Sequence, residues 1–516
     1  MDIQTVTALI DTQGPDITGR VVDMPAGSTH YVSGKDARDF YSQHPDTFTV
    51  GATYDTVLDQ HEAEHTGLGN IPTYSLDGAG NVVGLLGPEN SMVLRVSYLN
   101  NIGTPGGQGF GVGICPATLP SGMSEMSGCR DPSSANYGNY QYSDGSVMCW
   151  IPAFYYKWGT GSNGVALNEV DVKPESAFLN VTAANADGYA LHRAFYDGGA
   201  VQRGVFVDKY LCSYNAGKAS SLANGIVLTS AARGLLANEV FSDLTGAPAA
   251  NFGGAIAAAK TRGANFFCNS RFIFAALAML SYAHARASTA TTYCAWYHAT
   301  NNFPKGNNNN ALSDAQDATV TWTYDGNGTY TGVGKTGSAS TLAKSTHNGQ
   351  NCGVADLNGL VWEITPGLTS NGTNLYILKT SAAMKNVTGS NTLATDLWGA
   401  TGIAALYDDL GTSYQVWRET GANRSISYGA ATQVFSEATS GNAWNWAGVG
   451  GMLTTGDGGT NAFGNDIFYD YKPNEMCPFS GGHWGSSSSA GVWALHLANV
   501  RTSSDYYVGF RAALYL

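Results

Sequence analysis

The sequence predicts an α+β fold in which many short strands sit between long polar loops and helix is confined to one stretch near the middle. Three observations predict it. Short apolar or alternating segments recur, as at 147–158 and 204–210, the patterns of buried and half-buried strands. Residues 270–286 instead place Phe274, Leu277, Ala278 and Ser281 at i, i+3, i+4 and i+7, one face of a helix. Charged residues make up only 13% of the 516-residue chain, and glycine reaches 65 positions. That is well below the ~25% charge of ordinary globular chains, and it suits loops that pack on one another.

Taken in order, residues 1–100 form a region relatively rich in Asp, Glu and His, expected to attach the chain to a larger body and to oligomerise it. Residues 54–65 read as a short polar helix, and 74–93 as a hairpin turned by Asp77-Gly78 and Gly80-Asn81. His61-Glu62-Ala63-Glu64-His65 matches a zinc-protease pattern, in which two His one turn apart hold the metal. Its flanks carry Asp55, Asp59 and Gln60 rather than apolar residues, and Thr66-Gly67-Leu68-Gly69 offers no third ligand. A solvated helix without metal is therefore expected. Residues 101–145 are Gly/Pro/Ser-rich and read as a connector; the run Gly106-Gly107-Gln108-Gly109 lacks the helix that a nucleotide-binding loop requires.

The main domain is expected over 146–516. It opens on an aromatic strand at 147–158, continues with strands at 189–195 and 204–210, and reaches two helices at 255–263 and 270–286. Residues 300–346, with Asn307 to Asn310 in a row, read as an inserted hairpin or long surface loop. A strand follows at 375–380, then a Gly/Ser/Asn-rich excursion carrying Trp398, Trp417, Trp444 and Trp446.

Electrostatics narrows the partners. With 26 basic and 39 acidic residues the net charge is −13, which disfavours nucleic acid and anionic membrane surfaces. No run approaches the ~20 apolar residues of a membrane span, and the first residues lack a signal-peptide pattern. The chain is expected to be made and folded in a cytoplasm without classical export. Its eight cysteines, without a CxxC pair, are expected as small buried hydrophobes rather than zinc ligands.

The closing segment joins small polar residues to an apolar frame: Gly481-Gly482-His483-Trp484, then Ser486 to Ser489, an alternating strand at 492–495, a second polar loop, and Gly509-Phe510-Arg511. Upstream, Asp356-Leu357-Asn358-Gly359 reads as a turn before Trp362 and Glu363. Arg511, in a nearly uncharged strand, is expected to satisfy a buried carboxylate, with Glu363 the obvious partner.

These landmarks, together with Asp208-Lys209-Tyr210 and the two helices, resemble in type and order the C-type lectin fold in its formylglycine-generating, sulfatase-modifying branch. The resemblance covers about 147–516. It implies structural roles for Asp356, Asn358, Gly359, Trp362, Glu363, Gly481, Gly482, Trp484, Gly509, Phe510 and Arg511. Enzymes of that branch hold copper with two cysteines shortly after the Gly-Gly-Ser-Trp-like strand; the corresponding positions fall near Ser486 and Gly491, and no cysteine follows Cys477. Leu360 stands where the family's calcium-site pattern has Asn. No enzymatic activity, metal or cofactor is expected.

The non-enzymatic branch includes phage receptor-binding proteins and the variable tropism determinants of diversity-generating retroelements. The resemblance therefore implies a virion tail protein, expected as a homotrimer bound to other tail proteins, that presents a face to a host receptor of protein or glycan. The face is expected from His483, Ser486, Ser487, Ser488, Ser489, His496, Asn499, Arg501, Ser503, Ser504, Asp505, Tyr506 and Tyr507. Their composition is compatible with adenine-directed diversification and with ordinary loops alike. The alternatives are a structural virion fibre or decoration protein without receptor specificity, then a sulfatase-modifying-type enzyme.

Overall fold

The structure, a computed structural model, describes residues 100–166, 169–299, 310–314, 316–388, 403–411, 466–469 and 473–516, and, as backbone only, strands within 3–86 and 425–427. The chain divides into two compact units, Met1–Tyr98 and Leu99–Leu516. In the first, strand Ile3–Ala8 pairs antiparallel with both Thr29–Ser33 and Phe48–Tyr54. Thr73–Leu76 pairs antiparallel with Val82–Leu86. Residues 55–65, with the His61–His65 pattern, lie outside the described residues, as do Trp398, Trp417, Trp444 and Trp446.

The second unit is α+β, built around two six-stranded sheets. Their strands in chain order are β1 Met123–Glu125, β2 Asn139–Tyr142, β3 Val147–Pro152, β4 Gly204–Asp208, β5 Phe267–Cys268, β6 Trp362–Ile364, β7 Ser425–Ser427, β8 Ile467–Tyr469, β9 Phe479–Ser480, β10 Leu495–His496, β11 Val508–Gly509 and β12 Ala512–Leu514. The first sheet runs β5-β12-β4-β3-β2-β1 and is antiparallel throughout. The second runs β7-β8-β10-β9-β6-β11 and is mixed, with β8 parallel to β10 and β6 parallel to β11.

Several expectations are revised by packing. The segment expected as a connector is instead part of the second unit: it supplies β1 and β2, and buries Ile102, Phe110 and Val112. Its glycines permit this. Gly111 has φ +88°, and a Cβ there would lie 2.6 Å from His347 Nε2, so only a bare backbone fits against that ring. The aromatic run 147–158 is two strands, not one. The first ladder ends at Pro152, which has no N–H to extend it, and Phe154–Trp158 continues in a three-stranded sheet with Val170–Pro174 and Ala190–Leu191. The strand expected at 189–195 stops at Leu191, because His192 Nδ1 accepts the Ala194 N–H (3.2 Å) and starts a 3-10 turn.

Three α-helices occur among the described residues: α1 Val181–Ala186, α2 Phe252–Ala259 and α3 Arg271–Ala287. All three begin where side chains cap them. Asn180 accepts from Ala183 N–H at the start of α1. Asn251 accepts from Gly254 N–H and starts α2 a few residues before the expected point; Ser270 accepts from Ile273 N–H and starts α3. Lys260 closes α2, which frees Arg262 to leave the helix and turn inward. Helix α3 is buried on every side from Arg271 to Ala285 rather than along one stripe. All eight cysteines are buried free thiols.

Charge inside this apolar body is concentrated in paired sets. Arg511 meets Glu363 through two 2.7 Å hydrogen bonds, Nε to Oε2 and Nη2 to Oε1. It also donates to the carbonyls of Asp208 (3.0 Å) and Ala355 (2.9 Å). Beside it, Arg262 donates to both oxygens of Asp208 (2.6 and 2.9 Å), and Ala512 N–H donates to Oδ2 of the same carboxylate (2.9 Å). Lys209 Nζ donates to Asn139 Oδ1 at 2.6 Å and to the Asn351 carbonyl at 2.7 Å. A third pair of contacts joins Arg233 to Glu239 and Asp325, each at 3.4 Å.

Because β11 lies in one sheet and β12 in the other, Phe510 and Arg511 form the crossing between sheets. Removing one member of the buried pair strands the other's charge. Arg511→Met is expected to lower unfolding free energy by about 3–5 kcal/mol. The double variant Arg511→Met/Glu363→Met is expected to lose much less than the sum of the two single changes. Urea unfolding of the three variants checks both expectations; additive losses would show that the pair is not coupled.

Candidate binding face

The landmark residues of the closing segment fall inside the body. Gly481 and Gly482 have φ of +93° and +87°, the left-handed region that glycine adopts without strain. They carry the chain from β9 into a turn closed by the 3-10 helix Ser487–Ser489. Trp484, Gly509, Phe510 and Arg511 are buried, as are Asp356, Asn358, Gly359, Trp362 and Glu363. Asp356, at φ +60°, accepts the Gly337 N–H at 2.6 Å. Burial raises its carboxyl to about 6, against that hydrogen bond.

The segment 492–495 differs from the alternating strand expected. Val492, Trp493, Ala494 and Leu495 are all buried, and the Ala494 N–H donates to the Gly491 carbonyl in a turn (3.0 Å). Both sides of this segment face packed residues, so its alternation does not divide inside from outside. Gly491 sits against Asp466, whose Oδ2 accepts the Trp493 N–H at 2.8 Å.

Of the thirteen residues expected on the face, Ser488 and Ser504 are exposed. His483, Ser486, Ser487, Ser489, His496, Asn499, Ser503, Asp505, Tyr506 and Tyr507 are half-buried. Arg501 is not on the face. It is 1% exposed, and its guanidinium lies 5.3 Å from the Phe252 ring centroid at the start of α2. Its backbone holds it there: Arg501 N–H donates to the Glu475 carbonyl and its own carbonyl accepts from Phe252 N–H. His496 also serves packing. It stacks on Tyr469 at 4.2 Å, meets the Trp362 ring edge-on at 5.5 Å, and accepts the Ala498 N–H on Nδ1.

What remains is an aromatic cluster at the surface. Tyr507 stacks on His483 with centroids 4.4 Å apart, Tyr506 stands edge-on to Tyr507 at 5.0 Å, and both border the buried Trp484. The cluster has a member that the sequence reading missed. Tyr330 stacks on Tyr506 at 4.2 Å and 18°. It comes from the 300–346 region, whose described part is no free loop: Val320, Trp322 and Val333 are buried in one apolar group with Trp484. Asn310 N–H also donates to the Trp484 carbonyl. The signal was the period-two run Thr319-Val320-Thr321-Trp322-Thr323-Tyr324, a strand-like pattern hidden in low-complexity sequence.

The second polar loop is tied down as well. Ser230 Oγ donates to the Asp505 carbonyl (2.8 Å) and accepts the Asp505 N–H (2.7 Å). Burial lowers His483 and His496 to about 4, and burial with Asp505 nearby raises the Tyr507 phenol. Near neutral pH the His483 imidazole and the Tyr507 phenol are therefore uncharged. Among the described residues no group of three or more His, Cys, Asp or Glu is placed to hold a metal ion, and no helix is long and apolar enough to cross a membrane.

No family model matches the chain, and no curated protein matches it. Among solved structures, a Major Tropism Determinant U1 variant aligns with 72% of this chain and 65% of that chain, at 10% identity and a TM-score of 0.24. A likeness at that TM-score carries no argument about fold or function.

Two outcomes follow from the geometry. Tyr330→Ala and Tyr506→Ala are expected to be coupled by about 0.5–1.5 kcal/mol in a double-mutant cycle read by urea unfolding; strict additivity would mean the rings do not support each other. The second concerns pH. Burial holds His284 and His347 at about 4 in the folded chain, below the 6.5 of a free imidazole. The unfolded chain therefore binds protons first. The stability these two residues contribute is full above about 6.5 and is lost as pH falls toward 4, by about 1.4 kcal/mol per pH unit for each of them. Unfolding midpoints at pH 7.5, 5.5 and 4.5 check this.

Proposed function

We propose that this protein is a phage receptor-binding protein, carried on the virion tail, whose C-type lectin-like domain presents the aromatic cluster to the host cell surface. The observation that carries this reading is the cluster of Tyr330, Tyr506, Tyr507 and His483 around Trp484. Phenols and imidazole stand half-exposed on an apolar floor that includes Trp484, Val320, Trp322 and Val333. Tyr is an efficient contact residue because it offers a large amphipathic area at small entropic cost. A cluster of this kind, drawn from two distant segments, is a surface built for contact rather than a by-product of packing.

In this reading the Met1–Tyr98 unit attaches and oligomerises the chain, a homotrimer multiplies weak single contacts into avidity, and neighbouring partners are other tail proteins. The ligand is a host surface protein or glycan; nucleic acid and membrane insertion have no part in it. The protein acts without enzymatic chemistry, metal or cofactor. It reaches its target as part of a virion assembled in the host cytoplasm. Retroelement diversification would act within the window from His483 to Tyr507.

The test is adsorption. Tyr506→Ala/Tyr507→Ala is expected to weaken binding of the full chain to intact cells of a susceptible strain by tenfold or more, about 1.4 kcal/mol or greater, with β-sheet circular dichroism unchanged. Unchanged adsorption would favour a structural virion protein without receptor specificity. Neighbouring DNA bearing a reverse transcriptase and an imperfect repeat of the last codons would establish diversification.

A further inference from the structure

Beside the aromatic cluster lies a loop that belongs to neither the closing segment nor the 300–346 region. Residues 229–241 form a closed loop: Thr229 N–H donates to the Glu239 carbonyl (2.8 Å), and Phe241 N–H to the Thr229 carbonyl (3.2 Å). Its interior is filled by charge. The Glu239 carboxylate accepts the N–H groups of Arg233 (2.7 Å) and Gly234 (3.0 Å). The Arg233 guanidinium donates to Thr229 Oγ1 and the Val227 carbonyl, and approaches both Glu239 and Asp325 at 3.4 Å.

This buried arrangement fixes the loop and joins it to the turn that bears Tyr330. At the tip stands Leu235, 63% exposed. It is next to that turn: a Cβ at Gly328 would lie 3.0 Å from Leu235 Cδ1. The loop also touches the third segment, through the Ser230–Asp505 hydrogen bonds and Ala231 N–H donating to the Asp505 carbonyl.

We infer that Leu235 is an apolar contact of the same face, and that its occupant is a protein surface rather than a polysaccharide. The inference rests on the proposed function and names the partner class. Two observations select that class. Within 231–238, 326–331, 483–489 and 503–507 the one cationic side chain is Arg233, and it is buried in the loop. The face thus has no exposed lysine or arginine to attract an acidic polymer. An exposed leucine has no polar group with which to recognise a sugar hydroxyl, whereas the core of a protein–protein contact is apolar, depleted of charge and enriched in tyrosine. The rigid loop means that little ordering entropy is lost when the leucine is covered.

The experiment measures binding of the labelled full chain to intact bacterial cells of a strain panel. Cells are used untreated, treated with proteinase K, or oxidised with periodate. Leu235→Ser is expected to weaken binding about tenfold. Leu179→Ser, at a position 83% exposed in the loop before α1, is expected to leave it unchanged. Proteinase K should abolish binding and periodate should not. Leu235→Ser binding as tightly as the parent, while Tyr506→Ala fails to bind, overturns the inference and leaves the proposed function standing. Binding that survives proteinase K and is lost to periodate assigns the face to a glycan and overturns it too. Equal losses in both leucine variants mean unspecific adhesion, and a Leu235→Ser chain that sediments as a smaller species means self-association; either overturns it. If the parent chain binds no strain, the proposed function fails first and this inference with it.

Discussion

The fold of the second unit depends on one buried ion pair. Arg511 and Glu363 lie where the chain passes from the mixed sheet into the antiparallel one, and the guanidinium also takes carbonyl oxygens from Asp208 and Ala355. Each of these groups would be costly to bury alone. Together they satisfy most of what the crossing leaves unpaired. The neighbouring Arg262–Asp208 pair repeats the arrangement, and its carboxylate also receives the Ala512 N–H from β12. In a chain with 13% charged residues, the few charges in the core join segments far apart in sequence.

The surface cluster follows from that frame. Gly481, Gly482, Trp484 and Gly509 hold the strands beneath it, and the polar residues between them turn outward only as far as their neighbours permit. Most are half-buried, which separates this surface from a pair of solvated loops. Tyr330 and Leu235 arrive from elsewhere in the chain, so the face is a composite of three segments that the closing residues alone do not define. Any variation within 483–507 would act on part of it, against a background contributed by residues outside that window.

Much of this was legible in the sequence wherever local pattern and packing agree. Asn358-Gly359 ahead of Trp362-Glu363, and an arginine in an uncharged strand, located both halves of the central pair before any coordinates. The helix at 271–287 followed from its spacing. Arg501 was misread because a long charged side chain in a polar loop looks solvent-directed; only the position of α2 shows that it is covered. Tyr330 was missed because asparagine and glycine dominate its surroundings and mask the alternation of Val320, Trp322 and Tyr324. The strand expected at 189–195 failed on a single side-chain acceptor, His192, whose competition with the ladder is invisible to periodicity. Tertiary proximity decided the first two of these cases, and a local side-chain acceptor the third.

The crossing at Phe510 and Arg511 also governs when this domain can fold. The hydrogen bond from Arg511 to the Asp208 carbonyl spans 303 residues, and β4 finds one of its two neighbours only in β12. During synthesis the first sheet therefore waits, with one edge of β4 open, until the residues that complete it have left the ribosome. Long-range pairing of this kind slows folding and lengthens the time in which unpaired strands can associate wrongly. A chain cut short before 511 would lose β12 and Arg511 together, and would leave β4 and β5 each with an open edge.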